Sequence, residues 1–272
     1  MSIRGSAHSF SSRGSTDMKY ALLTALIVSA MIVSCGGGSK KPDVEVDQTK
    51  TFENQKALAA ASFNRKNFKQ ALTEIEAAEK INDKDPDVYV IKGLIYVGLQ
   101  DYLTAEQNYK KALSLRSDDT SAHFNLCGLY LIQKNFDQVI SECGLVVADP
   151  TYRLRANAYT NMGIAYFNKG DMVKARENYE QALKQYPAFV YAHNGLGMLY
   201  MSTGRYGEAA AEFQQAVAGL PTYEEAYYNL GLAYLKLNDS VNACEAFRKV
   251  VEISPNSEFG VNSNRYINTV CN

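Results

Sequence analysis

The side chains of this chain with the most obvious covalent reactivity are its five cysteines, Cys35, Cys127, Cys143, Cys244 and Cys271. No two of them make a C-x-x-C pair. The three histidines, His8, His123 and His193, are scattered, so no metal-ligand spacing is present and no cofactor is implied. Neither a G-x-S-x-G motif, a phosphate-cradling glycine loop nor an H-E-x-x-H occurs. The formal net charge is −1 at pH 7. Loss of residues 1–34 would remove Arg4, Arg13 and Lys19 against one acid, Asp17. With no basic excess to neutralise a phosphate backbone, nucleic acid is not an expected partner. A small-molecule substrate is not implied either. The chain reads as a binding protein, not an enzyme.

Cys35 stands apart from the other four. Met18-Lys19-Tyr20 is followed by an apolar stretch over 21–33, shorter than the ~20 residues needed to span a bilayer and suited to a secretory signal. Ile32-Val33-Ser34-Cys35 resembles the bacterial lipobox, with Ile32 where leucine is preferred; this implies a signal peptide over 18–34 and a lipid on Cys35. An uncleaved anchor, or an ordinary secretory signal with a chance cysteine, is the alternative. Residues 1–17 are dominated by Ser, Gly and Arg and read as a mis-annotated extension ahead of a true start at Met18. Gly36, not Asp, follows Cys35. By resemblance to Gram-negative lipoproteins this implies lipid anchoring at the periplasmic face of the outer membrane. Residues 35–51 then read as the lipidated cysteine and a flexible tether, most clearly over 36–42.

Behind this start, small residues and prolines recur with a period of about 34 residues. Gly93, Gly163, Gly197 and Gly231 fall at position 8 of the repeat, Ala105, Ala175, Ala209 and Ala243 at position 20, and Pro187, Pro221 and Pro255 at position 32. The pattern resembles the tetratricopeptide repeat, in which small residues let two helices approach and a late proline stops the second. The expected fold is all-α: a right-handed superhelix of six hairpins, 52–85, 86–119, 120–155, 156–189, 190–223 and 224–257, with a capping helix in 258–272. The third repeat is irregular and longer by two residues near Ala148–Arg155. Cys127 and Cys143 fall at its positions 8 and 24, on opposing helices of one hairpin. Cys244 lies at position 21 of the last second helix, against which a cap bearing Cys271 packs. Disulfides Cys127–Cys143 and Cys244–Cys271 are therefore expected in an exported protein; buried free thiols packing as small hydrophobes are the alternative. His123 and His193 share position 4 and read as structural. The glutamates of Glu74-Ile75-Glu76 and Glu224-Glu225 read as solvated helix faces.

In the tetratricopeptide family the inner wall is built from positions 2, 5, 9, 12 and 13 of the first helices. Here those positions give Val90, Leu94, Val97, Phe124, Leu131, Ile132, Ile164, Phe167, Tyr191, Met198, Met201, Tyr228, Leu232 and Leu235. The Lys, Arg and Asn set that grips a peptide carboxylate is missing. An apolar strip with methionines and aromatics suits an amphipathic helix or an apolar segment of a client. Phe124, Leu131, Phe167 and Met198 are the expected anchors, with Phe124 and Phe167 partly exposed. The alternative is that neighbouring helices, or residues 42–51, cover part of the strip.

Ala148-Asp149-Pro150-Thr151-Tyr152, then Ala156 and Asn161-Met162-Gly163, resemble the lengthened junction of the type IV pilus biogenesis lipoproteins PilF, PilW and Tgl. Cys127 departs from that family, which more often has glycine there. The resemblance implies a pilotin, which brings secretin subunits to the outer membrane; the implied partners are a type IV pilus secretin subunit and, through Cys35, the membrane. A general periplasmic adaptor for outer-membrane protein assembly or for peptidoglycan enzymes is the rival reading.

Overall fold

The same short turn closes each of six helical hairpins, and local sequence explains it. The residue at position 15 is left-handed in every repeat: Lys66, Gln100, Lys134, Gly170, Gly204 and Asn238 have φ between 60° and 82°. The next backbone N–H then reaches back to the carbonyl five residues earlier, as in Asn67 to Ser62, Asp101 to Tyr96 and Asp171 to Tyr166, each at 2.9 Å. This ends the first helix by satisfying one of its orphan carbonyls. Asn67, Asp101, Asp171 and Asp239 next accept the N–H of the third residue onward and start the second helix.

The computed structural model describes residues 43–271. The extension 1–17, the signal segment 18–34, Cys35 and residues 36–42 lie outside the described residues. The helices are α1 Asp43–Asn64, α2 Phe68–Ile81, α3 Pro86–Gly98, α4 Tyr102–Leu115, α5 Thr120–Ile132, α6 Phe136–Ala148, α7 Arg155–Asn168, α8 Met172–Gln185, α9 Val190–Ser202, α10 Tyr206–Gly219, α11 Glu224–Lys236, α12 Ser240–Ile253 and α13 Glu258–Val270. Strands are absent among the described residues. Residues 43–51, expected within a flexible tether, are instead the first turns of α1. Past Pro42 the sequence holds no Gly or Pro until Pro86, so extending a nucleated helix by two turns costs little.

In four of the six hairpins a ring at position 24 of the second helix lies on a glycine at position 8 of the first, and in the first hairpin Ala59 and Ile75 take these positions. Tyr109 covers Gly93, Tyr179 covers Gly163, Phe213 covers Gly197 and Phe247 covers Gly231, and a Cβ at any of these glycines would overlap the ring. The third hairpin holds no such pair. Cys127 and Cys143 occupy the two positions and are joined covalently, with Cα atoms 5.4 Å apart. A second disulfide links Cys244 of α12 to Cys271, just past α13, with Cα atoms 5.7 Å apart. Successive first helices touch one another, whereas the second helices make no comparable contact. The stack therefore curves with α1, α3, α5, α7, α9 and α11 on its inner side.

Position 4 carries a recurrent tie to the preceding loop. The Tyr89 hydroxyl donates to the Asp83 carbonyl at 3.0 Å. His193 replaces the phenol: its Nε2 lies 3.0 Å from the Pro187 carbonyl and its Nδ1 2.7 Å from Glu212. His123 repeats the arrangement with the Ser117 carbonyl and Glu142. Both ring nitrogens face acceptors, and only an imidazolium donates from both. Burial of His193 opposes its charge, but the Glu212 carboxylate and the Pro187 carbonyl outweigh burial and hold its pKa above the usual 6.5. Stability from this contact is complete below pH 6.5 and is lost as pH rises through the raised folded value. The difference in thermal midpoint between the native chain and His193→Gln should therefore hold constant below pH 6.5 and shrink as pH rises above it. A difference independent of pH would show that the imidazolium contributes nothing.

Candidate functional site

The inner wall is assembled from residues of α3, α5, α7, α9 and α11 spaced three to four apart, which puts them on one face of each helix. Fourteen apolar residues were expected to line it, and the structure divides them. Val90, Val97 and Phe124 are core residues, only 8%, 7% and 5% exposed. Val90 packs with Val88, Tyr89 and Ile95, and Val97 with Tyr109 and Leu129. Phe124 lies beneath Tyr152, ring centroids 5.8 Å apart. The lengthened turn between α6 and α7 delivers this tyrosine, and burial pushes its phenol up to about 12. The expectation of a partly exposed Phe124 is corrected accordingly. Tyr228 is half-buried, but its ring lies against Phe259 at 5.2 Å and Tyr266 at 6.3 Å, so the capping helix α13 covers it.

Ten residues remain half-buried and clear of the capping helix: Leu94, Leu131, Ile132, Ile164, Phe167, Met198, Met201, Leu232, Leu235 and Tyr191, whose ring also meets Phe189 and Tyr223 edge to face, each at 5.5 Å. Their inner edges join the hydrophobic clusters, as Phe167 does with Tyr179 and Leu199, and Met198 with Phe213 and Leu230. Their outer edges form an interrupted apolar strip along the curve. Such a strip can bury an apolar segment. Among the described residues no His, Cys, Asp or Glu group is arranged to hold a metal ion. Nor is any described helix long and apolar enough to cross a membrane.

Two polar features depart from the expectation of solvated glutamates. Glu74 is half-buried and accepts from the Gln70 amide at 2.9 Å. Glu225, also half-buried, accepts at 3.2 Å from Asn194, which in turn accepts at 3.3 Å from Asn229. Asn194 and Asn229 are buried, 5% and 7% exposed. Burial raises the Glu225 pKa above the ordinary carboxylate value, the Asn194 hydrogen bond opposes this, and neighbouring Glu224 adds to it. The available signal was register: Glu225 sits at position 2 of its repeat, on the inner wall, not the outer face.

The family model for the tetratricopeptide repeat matches residues 86–119, 160–224 and 224–257. These segments are tetratricopeptide repeats. The array is similar to the solved structure of Pseudomonas aeruginosa PilF, with a TM-score of 0.70 and 16% identity over 80% of this chain and 99% of that one. It is likewise similar to PilW, described as a widely conserved type IV pilus biogenesis factor, with a TM-score of 0.71 and 21% identity over 78% of this chain and 98% of that one. Human sperm-associated antigen 1 is 26% identical over 117 residues, 43% of this chain. The chain spans only 13% of the length of that curated relative. At these identities the likenesses establish the tetratricopeptide fold, and tetratricopeptide scaffolds are in general protein-interaction modules.

Proposed function

We propose that this chain is an outer-membrane lipoprotein that acts as a pilotin for the type IV pilus secretin, holding an apolar segment of an unassembled subunit on the inner wall of its repeats. The observation that carries this reading is that two type IV pilus factors, PilF and PilW, are covered almost end to end by this chain. A half-buried apolar strip on the inner curve supports it, because contiguous exposed apolar surface marks interaction sites. Cys35 supplies the anchor and residues 36–42 the reach. The protein works without a chemical step. It raises the local concentration of subunits at the membrane and shields apolar surface until the subunits pair their own strand edges.

Deleting the gene is expected to leave secretin monomers present while depleting heat-stable multimers and surface pili. Cys35→Ala should mislocalise the protein and reduce assembly. Normal multimers and normal pili in the deletion strain would overturn the reading in favour of a general periplasmic adaptor.

A further inference from the structure

Between the fifth and sixth repeats the inner wall changes character. Tyr191 and Asn194 of α9 meet Tyr223, Glu225 and Asn229 at the start of α11. The Tyr191 and Tyr223 rings stand edge to face at 5.5 Å. Beside them the amides of Asn229 and Asn194 pass hydrogen bonds in sequence to one oxygen of Glu225, fixing the carboxylate's orientation. No lysine or arginine among the described residues pairs with Glu225, although several other half-buried carboxylates have one: Asp85 has Lys56 at 2.9 Å and Glu79 has Lys92 at 2.7 Å. A half-buried carboxylate is costly when it lacks a cation. Here it is held in place by two buried amides, next to the rings of two tyrosines, one of them half-buried on the open wall.

We propose that Tyr191, Asn194, Tyr223, Glu225 and Asn229 form a receptor for one basic side chain, arginine in preference to lysine, carried by a partner polypeptide lying along the inner wall. A guanidinium satisfies both features at once: its N–H groups donate to the Glu225 carboxylate and its plane lies on a tyrosine ring. The apolar strip from Leu94 to Met201 would take the partner's hydrophobic residues, and this receptor would fix their register by one charge. The absence of a protein counter-ion is thus a feature of recognition, with the partner completing a charge pair that the free chain leaves open. The inference rests on the inner wall being the binding face, and it names what that face selects.

The test uses the full chain in detergent and a displayed library of random dodecapeptides as the probe. Selected binders are expected to converge on one arginine or lysine flanked by apolar residues. Against such a binder, Glu225→Gln should weaken binding about ten-fold or more, the scale of one lost charge-assisted hydrogen bond. The same peptide with norleucine in place of its basic residue should bind the native chain and Glu225→Gln equally. Gln keeps an acceptor for Asn194, and unchanged circular dichroism verifies that the repeat remains folded. Phe167→Asp, on the apolar strip, separates the two ideas. Binders without a basic residue that are lost on Phe167→Asp would leave the groove reading standing and overturn the receptor. Basic binders that depend on Glu225 but ignore Phe167→Asp would keep the receptor and sink the apolar groove. A library that yields no basic binder, or basic binders indifferent to Glu225→Gln, overturns the inference.

Discussion

Phe124→Asp is expected to abolish cooperative folding around the third repeat, while Phe167→Asp keeps the helical signal and lowers the thermal midpoint far less. The two phenylalanines hold neighbouring inner-wall roles in the repeat pattern, yet Phe124 is 5% exposed under Tyr152 and Phe167 is half-buried. Truncating a buried phenylalanine to alanine costs about 3–5 kcal/mol. An unpaired carboxylate in its place adds desolvation, and the sum is comparable to the whole stability of an ordinary domain, about 5–15 kcal/mol. Far-ultraviolet circular dichroism during heating distinguishes the two variants. Equal melting curves would show that the Tyr152 cover is open in solution. Loss of client binding in Phe167→Asp, with its fold intact, would then place the contact on the strip.

A comparably large effect is expected at the third hairpin. Cys127→Ala with Cys143→Ala should cost about 3 kcal/mol, the value for a cross-link closing a loop of about 15 residues, and leave a cavity where four of the other hairpins have a ring on a glycine. The structure also indicates the repair. Gly93 with Tyr109, and Gly163 with Tyr179, fill the same two positions without covalent help. Cys127→Gly combined with Cys143→Tyr should therefore recover part of the lost stability and make the hairpin insensitive to reductant. Chemical denaturation of the three proteins, with and without dithiothreitol, measures this. A glycine–tyrosine variant no more stable than the double alanine would mean that the third hairpin has its own packing geometry and does not share the common one. Asn161, buried and 3.7 Å from the Cys127 sulfur, is the residue that would have to move.

Much of the fold was legible because its determinants are local and repeated. Glycine at position 8, alanine at position 20 and a proline after the second helix each act within one hairpin, so spacing alone reveals the all-α array. The inner wall was less legible because its exposure is decided by residues elsewhere in the chain. Nothing near Phe124 in sequence says that Tyr152 will cover it; that depends on where a lengthened turn sets down its ring. Tyr228 sits at an inner-wall position by register, but a helix outside the repeat pattern brings Phe259 and Tyr266 over it. Glu225 looked like half of an acidic pair on a solvated face, and its neighbours Asn194 and Tyr191 come from the previous repeat. Register identified which face a side chain takes, while its burial followed from what the neighbouring repeat placed beside it.

Tyr179 differs from the other position-24 rings in having a glycine on both sides. Gly163 belongs to its own hairpin and Gly195 to the next, and a Cβ at either would overlap the ring. Tyr109, Phe213 and Phe247 meet one such glycine each. In a one-dimensional array each interface sets how far an opening event spreads before it stops. A ring shared by two hairpins ties the fourth and fifth repeats into a single unit of opening, because neither can separate without stripping the other of its packing. The array is thus segmented unevenly, with a stiff block in its fourth and fifth repeats. The aromatic and carboxylate residues around Glu225 lie at the margin of that block, where it meets the sixth repeat.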